Sequence, residues 1–459
     1  MSTSEHSRSG NKLILAIVLS ILTYWLFAQS FINISTPVQQ TYHTTPGILN
    51  LSVSITSFAT GIFMVGAGDI SDKIGRLKMT YIGIVLSIIG SLLIIISDIT
   101  ALLLIGRILQ GVSAAILLPS TVGVFNDQFN GKALRRAFSY LMIGSVGGIG
   151  LASMVGGLIA TYINWQSNFI LSILIATIAF ILLLGTKEEA KEVIDKRPFD
   201  YVGMLIFAVL IGSITLFATQ GFEQGWTSPF SMICLSIFVI STIIFYFFER
   251  RKHLPFIDFE LFRNRGLMGS SVINFVLNSA VGITTVFNMY AQTELGLSSF
   301  QSGLVTVPYV IMAILMIRLG EKIAMKHGGK PMLLLGPAFP AIGIIFISLT
   351  ILPSEWYIAA VTFGFVICAI GNGLCATPGL TVAILTIPDE KVGLASGLYK
   401  MSATLGGAFG IAMYTTIFAA LQVSNSASVA AAWSMITGVA LMIIGIIVAQ
   451  IIIPKNIKA

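Results

Sequence analysis

Five residues within an eleven-residue stretch, Gly68, Asp72, Gly75, Arg76 and Lys78, bring one carboxylate and two bases into a glycine-containing turn. The glycines permit a tight reversal, and Asp72 is placed either to cap a helix or to pair with a base. A contact of that kind that forms and breaks is the chemistry of a gate. Arg107 precedes Gln110 and Gly111 inside an apolar run. An ionisable residue there is either a structural cation bonded to backbone and to Gln110, or a participant in proton transfer. Lys400 falls about eight residues into another apolar run, near 12 Å deep at ~1.5 Å per residue. It has three readings: a side chain that snorkels toward water, a counter-charge for an anionic substrate group, or a base that titrates once desolvated. Glu223 lies in the turn Gly221–Trp226 and joins Arg107 and Lys400 as a proton-coupling candidate, because no Asp or Glu falls clearly in the core of an apolar run.

The elements that must position these groups follow from composition. Of 459 residues, 56% are hydrophobic and only 10% charged, and the mean hydropathy is +0.93. A soluble surface carries about 25% charged residues. The apolar residues also fall in blocks of about 20, the length that crosses ~30 Å of hydrocarbon. A soluble enzyme, a disordered chain and a secreted disulfide scaffold are therefore excluded, and the expected class is an all-α polytopic membrane protein. Cys234, Cys368 and Cys375 all lie in apolar runs and suggest no disulfide framework. The block Leu13 to Pro37 is longer than a signal-peptide core and reads as a retained first helix.

Fourteen spans are expected, at about 13–37, 49–67, 79–97, 100–123, 137–161, 167–185, 201–219, 230–248, 266–290, 300–317, 332–350, 357–386, 393–418 and 429–453. With both termini cytoplasmic, every Lys and Arg except Arg107 and Lys400 falls in a terminus or a cytoplasmic loop, as positively charged loops require. The net charge of +7 thus records topology and not a nucleic-acid partner. The loop Gly68–Lys78 recurs in outline at Gly320–Lys330, so spans one to six match spans nine to fourteen, with seven and eight as an inserted pair. The implied organisation is a cytoplasmic N-terminus (1–12), a six-helix bundle (13–185), linkers and the inserted pair (186–265), a second six-helix bundle (266–453) and a cytoplasmic C-terminus (454–459).

The Gly68–Lys78 loop resembles motif A of the major facilitator superfamily, G-x-x-x-D-x-x-G-R-x-K, at all five of its residues. Arg107 to Ala115 resembles motif B, R-x-x-Q-G-x-x-A-A. Gly148, Gly156 and Gly157 resemble the glycine contact of the antiporter motif C, but Ala152-Ser153 stands where that family has Gly-Pro, so its proline kink is not expected. With Pro255–Phe262, Trp25–Ser30 and Met312–Glu321, these features are similar to the fourteen-helix drug:proton antiporters of the NorB/NorC and QacA type, over nearly the whole chain.

That resemblance implies parallel six-helix repeats with a substrate site near the midplane between the halves. It also implies export of quinolones, dyes or antiseptics, in exchange for protons, by a multi-pass and monomeric protein of a Gram-positive plasma membrane. Its partners are small-molecule drugs, protons and membrane lipids, and it needs no cofactor or metal. On helices that line the cavity in such a fold, the substrate candidates are Tyr24, Trp25, Gln29, Asn33, Asn274, Asn278, Tyr309, Asn372, Tyr399 and Lys400. Each is equally suited to packing or to interhelical hydrogen bonding. The family's helix-one Asp is missing: alignment on Asn33 and Pro37 puts Ala28 there. Two further readings stay open, export of a lipid-linked or metabolite anion and a transport-inactive membrane sensor. An enzyme is not expected, since no catalytic or metal-binding cluster of His, Asp and Glu is spaced along the chain.

Overall fold

The computed structural model describes residues 3–44, 46–96, 98–186, 200–252 and 259–454, apart from the side chains of some residues within helices. Asn33, Glu223 and Ser153 are among those whose side chains lie outside the description, as does the stretch 255–258. The described residues are helical throughout, with no strand. Eleven helices are long and apolar enough to cross a membrane, and the bent helix Gly131–Tyr162 makes a twelfth. Pro46–Ile74 and Tyr201–Gln224 are helical at the remaining two expected positions. The chain divides into two compact units, one of residues 1–196 with 389–397 and the other of 197–388 with 398–459. Helix Val392–Gln422 begins in the first and ends in the second.

The polarity of these helices is inverted relative to a soluble bundle. Gln166–Leu183 exposes Ile170, Leu174, Ile178 and Ile181, one helical turn apart. It buries Asn168, Ser172, Ala176 and Ala179 on its other face. With lipid as apolar as leucine, helices associate through small residues and internal polar bonds, and large apolar side chains are left facing out. Aromatic residues fill one end of this unit, where Phe31, Trp165 and Phe169 cluster with Ile94 and Leu103.

The first span is not a continuous α-helix. It runs as α-helix over Thr3–Leu22, widens to a π-turn over Thr23–Ala28, tightens to 3-10 geometry over Gln29–Ile34 and resumes as α-helix over Ser35–Tyr42. A change of hydrogen-bond register frees backbone carbonyls in the middle of the bundle. Ser30 and Asn168 both donate to the Phe27 carbonyl, at 2.8 and 3.2 Å. Gly148 and Gly156 pack on this same span, where an added Cβ would stand 2.9 Å from Trp25 and 2.6 Å from Ser30. Gly157 meets nothing within 4 Å and takes no part in that contact among the described residues. Helix Gly131–Tyr162 contains no proline, and it bends by 47° between Gly131–Ala152 and Met154–Ala160.

Packing in the second unit repeats that of the first. Gly90 and Gly106 stand backbone to backbone, each Cβ position 2.7–2.8 Å from the other's carbonyl, and Gly343 and Gly364 do the same at 2.5–2.6 Å. Each pair joins two helices that follow one another in the chain, Arg76–Ile95 with Thr100–Gln128 and Gly329–Ile347 with Ser354–Leu385. The ninth span also breaks, into Arg265–Ser279 and Val281–Thr293. There Gly410 is pressed on the Ser279 carbonyl, 1.9 Å from where a Cβ would be, whereas Gly407 has nothing closer than 3.9 Å. Gly410→Ala is therefore expected to reduce the yield of monodisperse protein several-fold in size-exclusion chromatography, and Gly407→Ala to leave it unchanged.

The helices Tyr201–Gln224 and Pro229–Arg250 pack on each other through Phe207 and Phe245. At one end Lys252 bridges Asp200 and the fully buried Glu249. At the other, Gly225 turns the chain with φ 92°, a value that favours glycine. The Trp226 ring lies on Gly221, and its Nε1 donates to Thr416 Oγ1 at 3.0 Å. Trp226→Phe removes that donor and replaces the indole with a smaller ring, which predicts a thermal stability loss of at least about 1 kcal/mol. An unchanged melting curve would mean the bond contributes nothing.

Candidate functional site

The Gly68–Lys78 stretch folds as the end of helix Pro46–Ile74, a turn at Gly75 and the start of helix Arg76–Ile95. Gly75 takes φ 122°, a conformation strained for a side chain. The turn sends Arg76 back over Asp72: Nε donates to Asp72 Oδ1 at 2.9 Å, and Nη2 lies 2.8 Å from the same oxygen. Nη1 donates to Asp127 Oδ1 at 2.7 Å and Nη2 to the Asp389 carbonyl. Asp72 also accepts the backbone N–H groups of Gly393 at 3.0 Å and Leu394 at 3.1 Å. It therefore both pairs with a base and caps the N-terminus of helix Val392–Gln422, where free N–H groups and the helix dipole favour an anion.

Backbone contact closes this cluster. A Cβ on Gly68 would stand 2.4 Å from the Gly393 carbonyl. The Asp72 side chain is 6% exposed and lies beyond the apolar stretch 49–67. Burial pushes its carboxyl up to about 7, with the Arg76 charge as the main opposing pull. Lys73 pairs with Asp69 at 2.8 Å, and Lys78 is exposed. Every group in the cluster belongs to the first unit. The corresponding loop of the second unit is built differently. There Arg318 pairs with Glu321 at 2.7 Å, and Lys330 donates to the carbonyls of Gln450 and Ile453, capping the end of helix Ala427–Ile452.

Arg107 is 2% exposed and held entirely by neutral groups. Nε donates to the Ser52 carbonyl at 2.9 Å, and Nη1 donates to the Ala28 carbonyl at 3.0 Å and to Gln110 Oε1 at 2.7 Å. The Phe31 ring lies 4.3 Å from the guanidinium carbon, and Gln110 in turn donates to Ser91 at 3.1 Å. The Ala28 carbonyl comes from the junction of π and 3-10 geometry in the first span. Gly111 sits against the Thr56 carbonyl, 2.3 Å from a Cβ position. Tyr24 lies beside this cage, with the side chains of Thr60, Gln29 and Ser57 around its hydroxyl. Trp25 packs edge-on against Tyr24 at 5.0 Å, and its Nε1 has no partner among the described residues.

Lys400 differs from Arg107 in kind. It is 7% exposed and makes no ion pair or hydrogen bond among the described residues. The helix around it is tied by amides: Asn274 Nδ2 donates to the Tyr399 carbonyl at 2.8 Å and to Ser402 Oγ at 3.3 Å. Asn278 Nδ2 donates to the carbonyl and side-chain oxygens of Asn274, at 2.8 and 3.0 Å. Asn372 donates separately to the Tyr309 hydroxyl at 2.9 Å. The candidates thus gather into three groups: Tyr24, Trp25 and Gln29 near Arg107; Asn274, Asn278 and Tyr399 around Lys400; and Tyr309 with Asn372. Sequence reasoning did not find the roles of Asp127, Asp389, Gly393 and Leu394. Asp127 ends a span on the side where Arg76 begins one, which was a usable signal; the other three act through backbone atoms.

Comparison with known proteins agrees with this architecture. The Major Facilitator Superfamily model matches residues 13–411. The quinolone resistance protein NorB of Staphylococcus aureus strain MRSA252 is 40% identical over 452 residues, 98% of each chain, and that of strain COL gives the same figures. The proton:xylose symporter XylE bound to 6-bromo-6-deoxy-D-glucose aligns with a TM-score of 0.66 and 15% identity, over 99% of this chain and 98% of that one. The human organic anion transporter MFSD10 aligns at 0.63 and 12%, over 98% and 100%. At those identities the two structures speak for the fold alone.

Proposed function

Because this chain belongs to the major facilitator superfamily, we propose that it is a secondary transporter that exports amphipathic drugs, quinolones among them, in exchange for protons. The observation that carries this reading is identity of 40%, over 98% of each chain, to proteins named for quinolone resistance. The family is one of transporters, and a multi-pass protein of the plasma membrane follows from it; an enzyme does not. We further place fourteen crossings with both termini in the cytoplasm, two six-helix bundles flanking an inserted pair, and a monomeric protein in a Gram-positive membrane. Charge placement in the loops supports the orientation, and the matched glycine pairs support the repeat.

In this reading the cluster of Asp72, Arg76, Asp127, Gly68 and Gly393 is a latch that forms in one state of alternating access and opens in the other. Its ionic bonds are strong when buried and exchangeable when water enters, which suits a contact that cycles. The Arg107 cage fixes the broken first span, a positioning role. The test is reconstitution in liposomes with an internal pH dye and an added fluoroquinolone. Drug-dependent proton movement is expected. Bound drug with no proton movement would overturn the proton-coupled part of the reading.

A further inference from the structure

Two cations lie in the apolar bundle, and the structure treats them oppositely. Arg107 has its acceptors built in: two carbonyls, an amide oxygen and a ring face. Lys400, at 7% exposure against 2% for Arg107, has none among the described residues. A buried ammonium without a partner is costly, and proteins rarely keep one without a use. The polar groups nearest in sequence and along the facing helix do not help it. The ammonium needs acceptors, and those of Asn274, its carbonyl and its side-chain oxygen, take the Asn278 amide, while the Tyr399 carbonyl and Ser402 Oγ take the Asn274 amide. Thr404 Oγ1 stands 3.5 Å from the Lys400 carbonyl, so it too is turned toward backbone. Among the described residues nothing accepts from the Lys400 ammonium, so its donors stay open.

We propose that Lys400 is the specificity-determining residue of the transporter, receiving the carboxylate of acidic and zwitterionic substrates. This rests on the drug-export reading and narrows it to a charge class. The choice of Lys fits a site that must accept many molecules. A guanidinium binds a carboxylate through a rigid planar fork and so selects its orientation, whereas an ammonium is a compact charge whose three donors rotate. A bound carboxylate arriving from any direction satisfies it. Aromatic and apolar parts of the drug are then held without directional bonds, and substrates differing in ring system share one anchor. A cation is disfavoured at the same point by like charge.

The experiment compares a fluoroquinolone acid, its methyl ester and ethidium, for the parent, Lys400→Met and Lys400→Arg, in everted vesicles and in binding by fluorescence quenching. The parent should favour the acid over the ester at least tenfold. Lys400→Met keeps the length and apolar body of the side chain; it should lose acid binding and export at least tenfold, keep the ester and raise ethidium export. Lys400→Arg should retain the acid. Equal loss of acid and ester in a monodisperse Lys400→Met protein would overturn the proposal and make Lys400 a structural or proton-carrying group. Unchanged acid export in Lys400→Met would overturn it as well. Failure of the parent to move any of the three compounds would overturn the export reading itself, and this inference with it.

Discussion

Replacing Asp72 with Asn is expected to reduce drug export at least tenfold while leaving a folded protein. The substitution keeps the size of the side chain and one acceptor. It removes the charge that holds Arg76 and that complements the N-terminus of helix Val392–Gln422. Arg76 would retain Asp127 and the Asp389 carbonyl, so the loop should stay assembled but weakly closed. Breaking one side of a buried ion pair costs on the order of 3–5 kcal/mol when the other charge is stranded; here it is not stranded, and the loss falls on cycling more than on folding. Asp72→Glu, which keeps the charge but is longer by one methylene, should recover little, because the carboxylate is so close to Gly393 that a Cβ there would stand 2.6 Å from Asp72 Oδ1.

The pH dependence of that variant gives a second and independent reading. Burial holds the Asp72 carboxyl up to about 7, above the ordinary carboxylate value near ~4. Between those values the folded protein keeps a proton that the unfolded chain has released. Stability contributed by this group therefore falls as pH rises from about 4 through 7 and stays low above it. Asp72→Asn abolishes that dependence. Its melting temperature relative to the parent should rise from pH 5 to pH 8, even as its export remains low at both. A melting temperature that drops further below the parent at pH 8 would show that the Asp72 charge stabilises the fold, and would contradict the burial argument.

Arg107→Ala is expected to produce the largest stability loss of any single change considered for this chain. It strands the carbonyls of Ala28 and Ser52 and the amide oxygen of Gln110 away from water. Hydrogen bonds to a charged group contribute about 1.5–3 kcal/mol each, and three are lost together. Little monodisperse protein should be recovered in detergent. Arg107→Lys restores the charge without the planar fork, so it should recover part of the thermal stability and leave the pH profile of the remaining export unchanged. A stable Arg107→Ala protein that exports drug without moving protons would instead make Arg107 a proton-transfer group and remove the positioning role assigned to it.

The amino-acid sequence by itself determined that the chain is a bundle of apolar helices, and it located the loop that carries the ionic cluster. Both properties are written in side chains: blocks of about 20 apolar residues require helices in lipid, because no other open backbone satisfies its own polar groups there. It also marked Arg107 and Lys400, since a cation in an apolar block stands out wherever it occurs. What each cation does was decided only by the tertiary structure. Arg107 is held by carbonyls that become available where the first span changes from π to 3-10 geometry, and no residue type announces that break. Asp72 takes its cap from peptide groups 321 and 322 residues further along the chain, which are the same in every amino acid. Lys400 differs by what does not reach it, since no acceptor among the described residues meets its ammonium. Side-chain chemistry is legible in a sequence; the supply of free backbone donors and acceptors depends on where helices break and which ends meet, and that is settled by packing.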